Sequence, residues 1–312
     1  EAVSRDVFDD GWNSSDELPP FKTEVQVERP RQIITRNESP DISFDRSINP
    51  YRGCEHGCVY CFARPTHAYM GLSPGLDFES KLFAKPDAAK LLDKELSKPG
   101  YEPRTIAIGT NTDPYQPIEK QYRIMREVLE VLEARNHPVG IVTKSALVAR
   151  DIDILSRMAD RGLAKVAISI TTLDRKLART MEPRAATPTK RLEALKQLSD
   201  AGIPVSVMVA PIVPGLNDSE IERILDSAQA AGAREAAQSR HADRDRRARG
   251  AAMTAAAIET PRRAMRLTAP SNSGVSRDTT MTIFDAPAAI SSRAWNSMSV
   301  TPPIGNVAAS IS

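Results

Sequence analysis

Apolar runs and amphipathic stretches alternate along residues 46 to 236 with the spacing of βα units. Five short runs read as strands: "SINPYRG", "TIAIGT", "VGIVTKS", "AKVAISITT" and "IPVSVMVAPIV". Between them lie helical patterns. "KPDAAKLLDKELSKPG" has a proline start, and "PIEKQYRIMREVLEVLEARN" places Ile118, Tyr122, Met125, Leu129 and Leu132 on one face. "DIDILSRMADRG" closes on Gly162. "TPTKRLEALKQLSDAG" has Thr187 as N-cap, Pro188 in its first turn and Gly202 as its stop. "SEIERILDSAQAAG" follows Asp218 as its expected cap and ends at Gly232. Right-handed crossovers curl such units into a barrel or most of one, whose strand ends carry the chemistry. A doubly wound open sheet is the competing arrangement. The expected fold is thus α/β, a partial (β/α) barrel with five βα units and no sixth strand.

The flanks break the pattern. Residues 1 to 45 are polar and rich in Pro, Asp and Glu, an extended lead-in with one short strand at "TEVQVE". From residue 237 to 312 the chain has one leucine, Leu267, and neither lysine nor tyrosine. Such a segment buries too little apolar surface to offset its ordering entropy, so the expectation there is a disordered tail. Because it begins where a sixth strand is due, an out-of-frame or degenerate end is the specific expectation. The organisation is then lead-in 1–45, core 46–236 and tail 237–312.

Charge separates core from tail. The whole chain carries a formal +2; the tail holds 10 Arg against 5 acidic residues, or +5, so residues 1 to 236 carry 2 − 5 = −3. The core therefore shows no electrostatic footprint for nucleic acid. No apolar stretch reaches bilayer length, and no signal-peptide pattern opens the sequence. All three cysteines, Cys54, Cys58 and Cys61, sit in "INPYRGCEHGCVYCFARP". Clustered thiols of this kind suit a reducing, cytoplasmic compartment.

Three sulfurs at C-x3-C-x2-C would anchor three irons of a cubane cluster and leave the fourth open. Gly53 and Gly57 let the loop bend, and the ring of Tyr60 can shield a cluster. A Cys3His zinc site with His56 or His67 lacks the usual spacing. A Cys58/Cys61 redox pair leaves Cys54 unexplained.

The loop "CEHGCVYC" at the end of a first strand is similar to the signature of the radical S-adenosylmethionine (SAM) superfamily. Together with "GTNTDPYQPIE", "TKSALVARD", "SITTLD", "MEPRAATP" and "APIVPGLND", it resembles the branch related to spore photoproduct lyase, over residues 9 to 236. The resemblance implies a 4Fe–4S cluster on Cys54, Cys58 and Cys61, with SAM on the open iron. One-electron cleavage of SAM would yield a 5′-deoxyadenosyl radical that takes hydrogen from a substrate. It further implies an electron donor such as flavodoxin or ferredoxin, and damaged DNA as one candidate substrate.

By the same resemblance Tyr60 contacts adenine, and the turn with Asn111 and Asp113 meets the SAM ammonium. Lys144 pairs with the SAM carboxylate, Ser169 and Thr171 face the ribose, and the backbone at Val213 and Gly215 touches adenine. Arg184 is a further carboxylate or substrate contact, and His67 and Tyr69 either face substrate or pack. Two departures stand out. Spore photoproduct lyase uses a cysteine outside the cluster as hydrogen donor, and this chain has none left; the sixth strand that helps close the SAM pocket is also absent. The alternatives are a metal-stabilised nucleic-acid-binding module acting through the Arg-rich tail, and an inactive remnant of a radical SAM enzyme.

Overall fold

The computed structural model describes residues 9–12, 22–38 and 44–240, with the backbone of 265–266 and 280–281. The core is a seven-stranded sheet built on six parallel strands. In chain order these are β3 (Arg46–Ile48), β6 (Ile106–Ile108), β7 (Val139–Thr143), β8 (Ala164–Ser169), β9 (Val205–Ile212) and β10 (Glu235–Arg240), each pairing with the next. An antiparallel strand, β2 (Ile34–Arg36), covers the β3 edge. A second sheet joins β1 (Glu24–Val27), β5 (Lys81–Ala84) and β4 (Tyr51–Arg52) beside it.

Every residue of β7 and β8 is buried, as expected when both faces of a parallel sheet are covered. The two faces nevertheless differ. Val139, Ile141, Val166, Ile168, Val205 and Val207 belong to one large core with the helices, whereas Val142 and Ala167 form a separate small cluster with Met208. Side chains alternate across a strand, so the second face carries Gly140, Val142, Lys165, Ala167, Ser169, Ser206 and Met208. Apart from Val142 and Met208, these residues are small or polar. Two helices are short, α1 (Asp77–Ser80) and α6 (Arg175–Met181). The helices α2 (Ala88–Leu96), α4 (Ile124–Ala134), α5 (Ile152–Ala159), α7 (Pro188–Asp200) and α8 (Ile221–Ala230) supply the apolar stripe that the first face needs.

Local rules hold at several boundaries. The Thr187 hydroxyl caps α7 by accepting from the Lys190 amide at 3.3 Å, and Pro188 occupies its first turn. Others gave way to tertiary contacts. The long helix expected after Pro117 is two pieces, α3 (Glu119–Tyr122) and α4, because Arg123 adopts φ of 52° between them. Glu119 takes up the amide freed there, accepting from Met125 N at 3.1 Å. Asp218 does not cap α8 as expected. It opens a short 3-10 turn, and its carboxylate accepts from Gly215 N at 3.0 Å instead. The lead-in is partly docked: Trp12 donates from Nε1 to the Ala185 carbonyl at 2.9 Å, with Arg175 and Arg179 against its ring.

The largest correction concerns the sixth strand. No run of Val, Leu or Ile marks one, yet Glu235–Arg240 pairs in parallel with β9, from Glu235 opposite Ser206 to Arg240 opposite Ile212. Backbone pairing needs only an unsatisfied edge, and β9 provides it. Glu235 adds an ion pair with Lys165, a lysine otherwise buried within β8. Beyond it, Met265–Arg266 pairs antiparallel with Thr280–Met281. The expected disorder of the rest of the tail, and its out-of-frame origin, fall outside the described residues.

One buried histidine gives the fold a predictable acid response. His137 lies between the Tyr101 hydroxyl, 2.9 Å from Nε2, and the Pro138 carbonyl, 3.0 Å from Nδ1, a fit for the neutral ring with its proton on Nδ1. Burial pushes its pKa down to about 4 from 6.5. The unfolded chain therefore binds a proton first as pH falls. The stability contribution is complete above pH 6.5 and is lost between 6.5 and 4, by up to about 3 kcal/mol. Urea unfolding at intervals across that range should show a flatter acid limb for His137→Gln; a limb as steep as the wild type's would place the titrating group elsewhere.

Candidate active site

Because six strands run parallel, their C-terminal ends gather on one side of the sheet. The chain leaves β3 through β4 directly into the cysteine loop. Two glycines shape it: Gly53 at φ 75° and Gly57 at φ 68°. A side chain at Gly57 would collide with the Arg184 guanidinium and come 2.7 Å from Glu79 Oε2. The loop is thus pressed against Arg184 and Glu79 at Gly57, and both glycines take the left-handed conformation that lets it bend.

Parts distant in sequence hold it there. Gln116 receives Glu55 N at 2.9 Å and donates to the Gly53 carbonyl at 3.1 Å. Arg64 donates to the Cys58 carbonyl from Nε at 3.1 Å and from Nη2 at 3.0 Å. Glu79 pairs with both Arg64 and Arg184, and Arg184 also donates to the Glu55 carbonyl. Arg184, expected as a carboxylate or substrate contact, therefore braces the loop. His67 is likewise internal: Nε2 lies 2.9 Å from the Lys81 carbonyl and the ring packs edge-on against Phe78. Tyr69 is 91% exposed.

Cys54 and Cys58 are buried, Cys61 is half-buried, and none is in a disulfide. Burial raises all three thiol pKa values, that of Cys58 to about 12. Among the described residues, no three His, Cys, Asp or Glu side chains form a ready-made single-ion site. A cubane cluster makes a different demand, since its cysteines ligate separate irons. Three soft sulfur donors, pinned in one loop and kept protonated all the more firmly by burial, fit such a cluster: an iron cation replaces the proton.

The strand-end residues surround this loop. Lys144, just past β7, places Nζ 5.8 Å from the centre of the Tyr60 ring. The Tyr60 hydroxyl is 3.4 Å from Thr171 Oγ1, just past β8. Ser169 reaches the Ala210 carbonyl at 3.4 Å, and Asn111 is half-buried in the turn after β6.

Four of the expected contact residues are engaged within the protein. Asp113 accepts from Tyr115 N at 2.9 Å and Thr143 Oγ1 at 2.7 Å on one oxygen; on the other it accepts from Lys144 N at 2.7 Å, with His56 Nδ1 at 3.4 Å. Burial alone would raise its pKa, but the His56 ring and these donors outweigh it and hold the carboxyl at about 2. Asp113 thereby staples the turn after β6 to the end of β7. Thr171 donates to Glu182 at 2.6 Å. Val213 N donates to Asn217 Oδ1 at 2.7 Å, and Gly215 N to Asp218.

Sequence reasoning passed over the residues that do this framing. Asn217 is fully buried and also donates to the Thr171 and Pro211 carbonyls, at 2.8 and 2.9 Å. Glu182 is buried within a ring of donors: Tyr60, Thr171 and Arg191. Arg191 offered a signal. It stands on the apolar stripe of α7 with Ala194, Leu195 and Leu198, and a cation there requires a buried partner.

The model of the radical SAM superfamily matches residues 48–228. An uncharacterized protein of Mycobacterium tuberculosis (strain ATCC 25618 / H37Rv) is 40% identical over 194 residues, 62% of this chain and 57% of the relative. An uncharacterized protein of Methanocaldococcus jannaschii is 30% identical over 173 residues, 55% of this chain and 62% of the relative. The chain thus spans a little over half the length of these curated relatives. Among solved structures, a variant of spore photoproduct lyase with bound AdoMet and dinucleoside spore photoproduct superposes with a TM-score of 0.54 at 16% identity, covering 72% of this chain and 64% of the other. At that identity the likeness is one of fold.

Proposed function

This chain belongs to the radical SAM superfamily, and from that premise we propose that it is an enzyme that binds a 4Fe–4S cluster and SAM and draws a hydrogen atom from its substrate. The observation that carries this reading is the placement of three free thiols in one braced loop above the C-terminal ends of six parallel strands.

In this reading Cys54, Cys58 and Cys61 hold three irons. Bound there, the cluster and SAM would together supply the 5′-deoxyadenosyl radical. The protein's share is orientation and exclusion of water. Asn111, Lys144, Ser169 and the Tyr60 ring are the groups proposed to meet SAM. Lys144 brings a cation suited to a carboxylate, and Ser169 a hydroxyl suited to ribose. Asp113, Thr171, Val213 and Gly215 form the frame behind them.

Anaerobic reconstitution of the full chain should yield about four iron and four sulfide per chain, and dithionite plus SAM should release 5′-deoxyadenosine. A chain that binds zinc alone sinks the reading. For the substrate we propose damaged DNA, supported by the spore photoproduct lyase fold, whose own structure carries a dinucleoside spore photoproduct. An ultraviolet-irradiated oligonucleotide should then be repaired with SAM and a one-electron donor of the flavodoxin or ferredoxin kind. Formation of 5′-deoxyadenosine without repair would reject DNA and retain the radical chemistry. Residues 1–312 hold no cysteine outside the loop, so repair by this chain would return hydrogen from a group other than such a thiol.

A further inference from the structure

The Cys58–Cys61 turn is tied to a part of the chain some 120 residues later by contacts that the cluster itself does not require. Val59 N donates to the Met181 carbonyl at 3.0 Å. The next residue, Tyr60, donates from its hydroxyl to Glu182 Oε1, the neighbour of Met181. The same carboxylate accepts from Thr171 Oγ1 and, on Oε2, from Arg191. Arg191 is itself satisfied on its remaining sides, donating to the Ala186 carbonyl at 2.8 Å and the Ser169 carbonyl at 3.0 Å. Glu182, Arg191 and Thr171 are all buried.

A buried ion pair is a poor source of stability, since desolvation of two charges offsets most of their attraction. What such a pair does supply is direction. Arg191 Nη2 holds Oε2 while its other nitrogens are anchored on the Ala186 and Ser169 carbonyls, and Thr171 holds Oε1; a carboxylate held at both oxygens fixes whatever else donates to it. Here that donor belongs to the residue between two of the three cysteines. The second anchor of the assembly is the end of β8, through Thr171 and the Ser169 carbonyl, the same strand end proposed to meet the ribose of SAM.

We infer that Glu182 and Arg191 are a positioning pair, which through the Tyr60 hydroxyl locks the cysteine turn to the end of β8 and so sets the cluster's pose relative to SAM. Neither residue touches the reacting atoms. Lys144 completes the arrangement from the other side, with its ammonium over the Tyr60 ring. This inference rests on the radical SAM reading above.

The test compares wild type, Tyr60→Phe, Glu182→Gln and the double variant, each as the full chain reconstituted anaerobically. Tyr60→Phe leaves the Glu182–Arg191 pair intact, so it keeps the test alive if Glu182→Gln folds poorly. Iron content in Tyr60→Phe should stay at the wild-type level. The change that SAM produces in the electron paramagnetic resonance spectrum of the reduced cluster should shrink, and KM for SAM should rise about tenfold with kcat altered far less. The double variant should be no worse than Glu182→Gln alone, because both changes break one link. A Tyr60→Phe protein with the wild-type SAM-induced spectrum and KM overturns the inference, even if it melts earlier. Additive losses in the double variant overturn it as well. If the wild-type chain takes up no cluster, the radical SAM reading fails first, and this inference falls with it.

Discussion

Replacing Cys58 with serine is expected to remove the cluster's spectroscopic signature and SAM cleavage together while leaving the fold in place. Cys58 is buried, its pKa is pushed up to about 12, and without metal it is a neutral side chain packed in a loop. Serine matches that neutral group in size, so the loop loses little. Braces from Gln116, Arg64 and Glu79 hold the backbone whatever occupies the position. As an iron ligand the exchange is severe, because a hard alcohol oxygen replaces a soft thiolate. Loss of an outer-shell partner alone costs roughly 10–100-fold in metal affinity, and loss of a direct ligand should exceed that. Iron per chain, charge-transfer absorbance and 5′-deoxyadenosine yield should fall together, with an unchanged circular dichroism spectrum. The same pattern is expected at Cys54 and Cys61. A Cys58→Ser chain that retains a full cluster and cleaves SAM would disprove the ligand assignment.

Gly109→Ala should be the most damaging single-methyl change in the core. Gly109 begins the turn after β6 at φ 91°, which side chains rarely adopt. A Cβ there would overlap the Val142 carbonyl oxygen and lie 3.0 Å from its carbon and 3.1 Å from Pro114 Cδ. The obstacle is backbone of the neighbouring strand β7, so no rotamer change relieves it. Strain and clash together should cost about 3 kcal/mol or more, enough to unfold much of a marginal domain. Gly162→Ala is the control: φ there is 69°, and nothing lies within 4 Å of the added carbon. That change should cost about 1 kcal/mol. Equal melting temperatures for the two variants would mean that the turn can shift away from β7, and the close approach would not be a requirement of the fold.

The periodic parts of the chain were legible because their signals are local. Short apolar runs marked β6 to β9, and Thr187 with Pro188 marked the start of α7. The cysteine loop was legible for the same reason, all three sulfurs lying within eight residues. The break in the helix at Arg123 was not, because it is fixed by Glu119 and its neighbours in three dimensions. Strand β10 was missed because its side chains carry almost no apolar signal, while its pairing is an affair of backbone groups on β9.

Within the site the same division holds. Spacing alone determined which side chains could ligate metal, and that strand ends would bring polar residues beside them. Which of those residues are bound into the frame was decided only by tertiary structure. Asp113 reads in sequence like an acceptor for an ammonium; folded, both of its oxygens are occupied by Thr143, Tyr115, Lys144 and His56. Glu182 stands in the sequence only as one letter of "MEPRAATP"; folded, it is buried and held ionised, at about pKa 2, because Arg191, Lys144 and two hydroxyls outweigh the cost of its burial. A carboxylate's role depends on which donors arrive within about 3 Å of it. Here most of those donors come from strand ends that only the parallel sheet brings together.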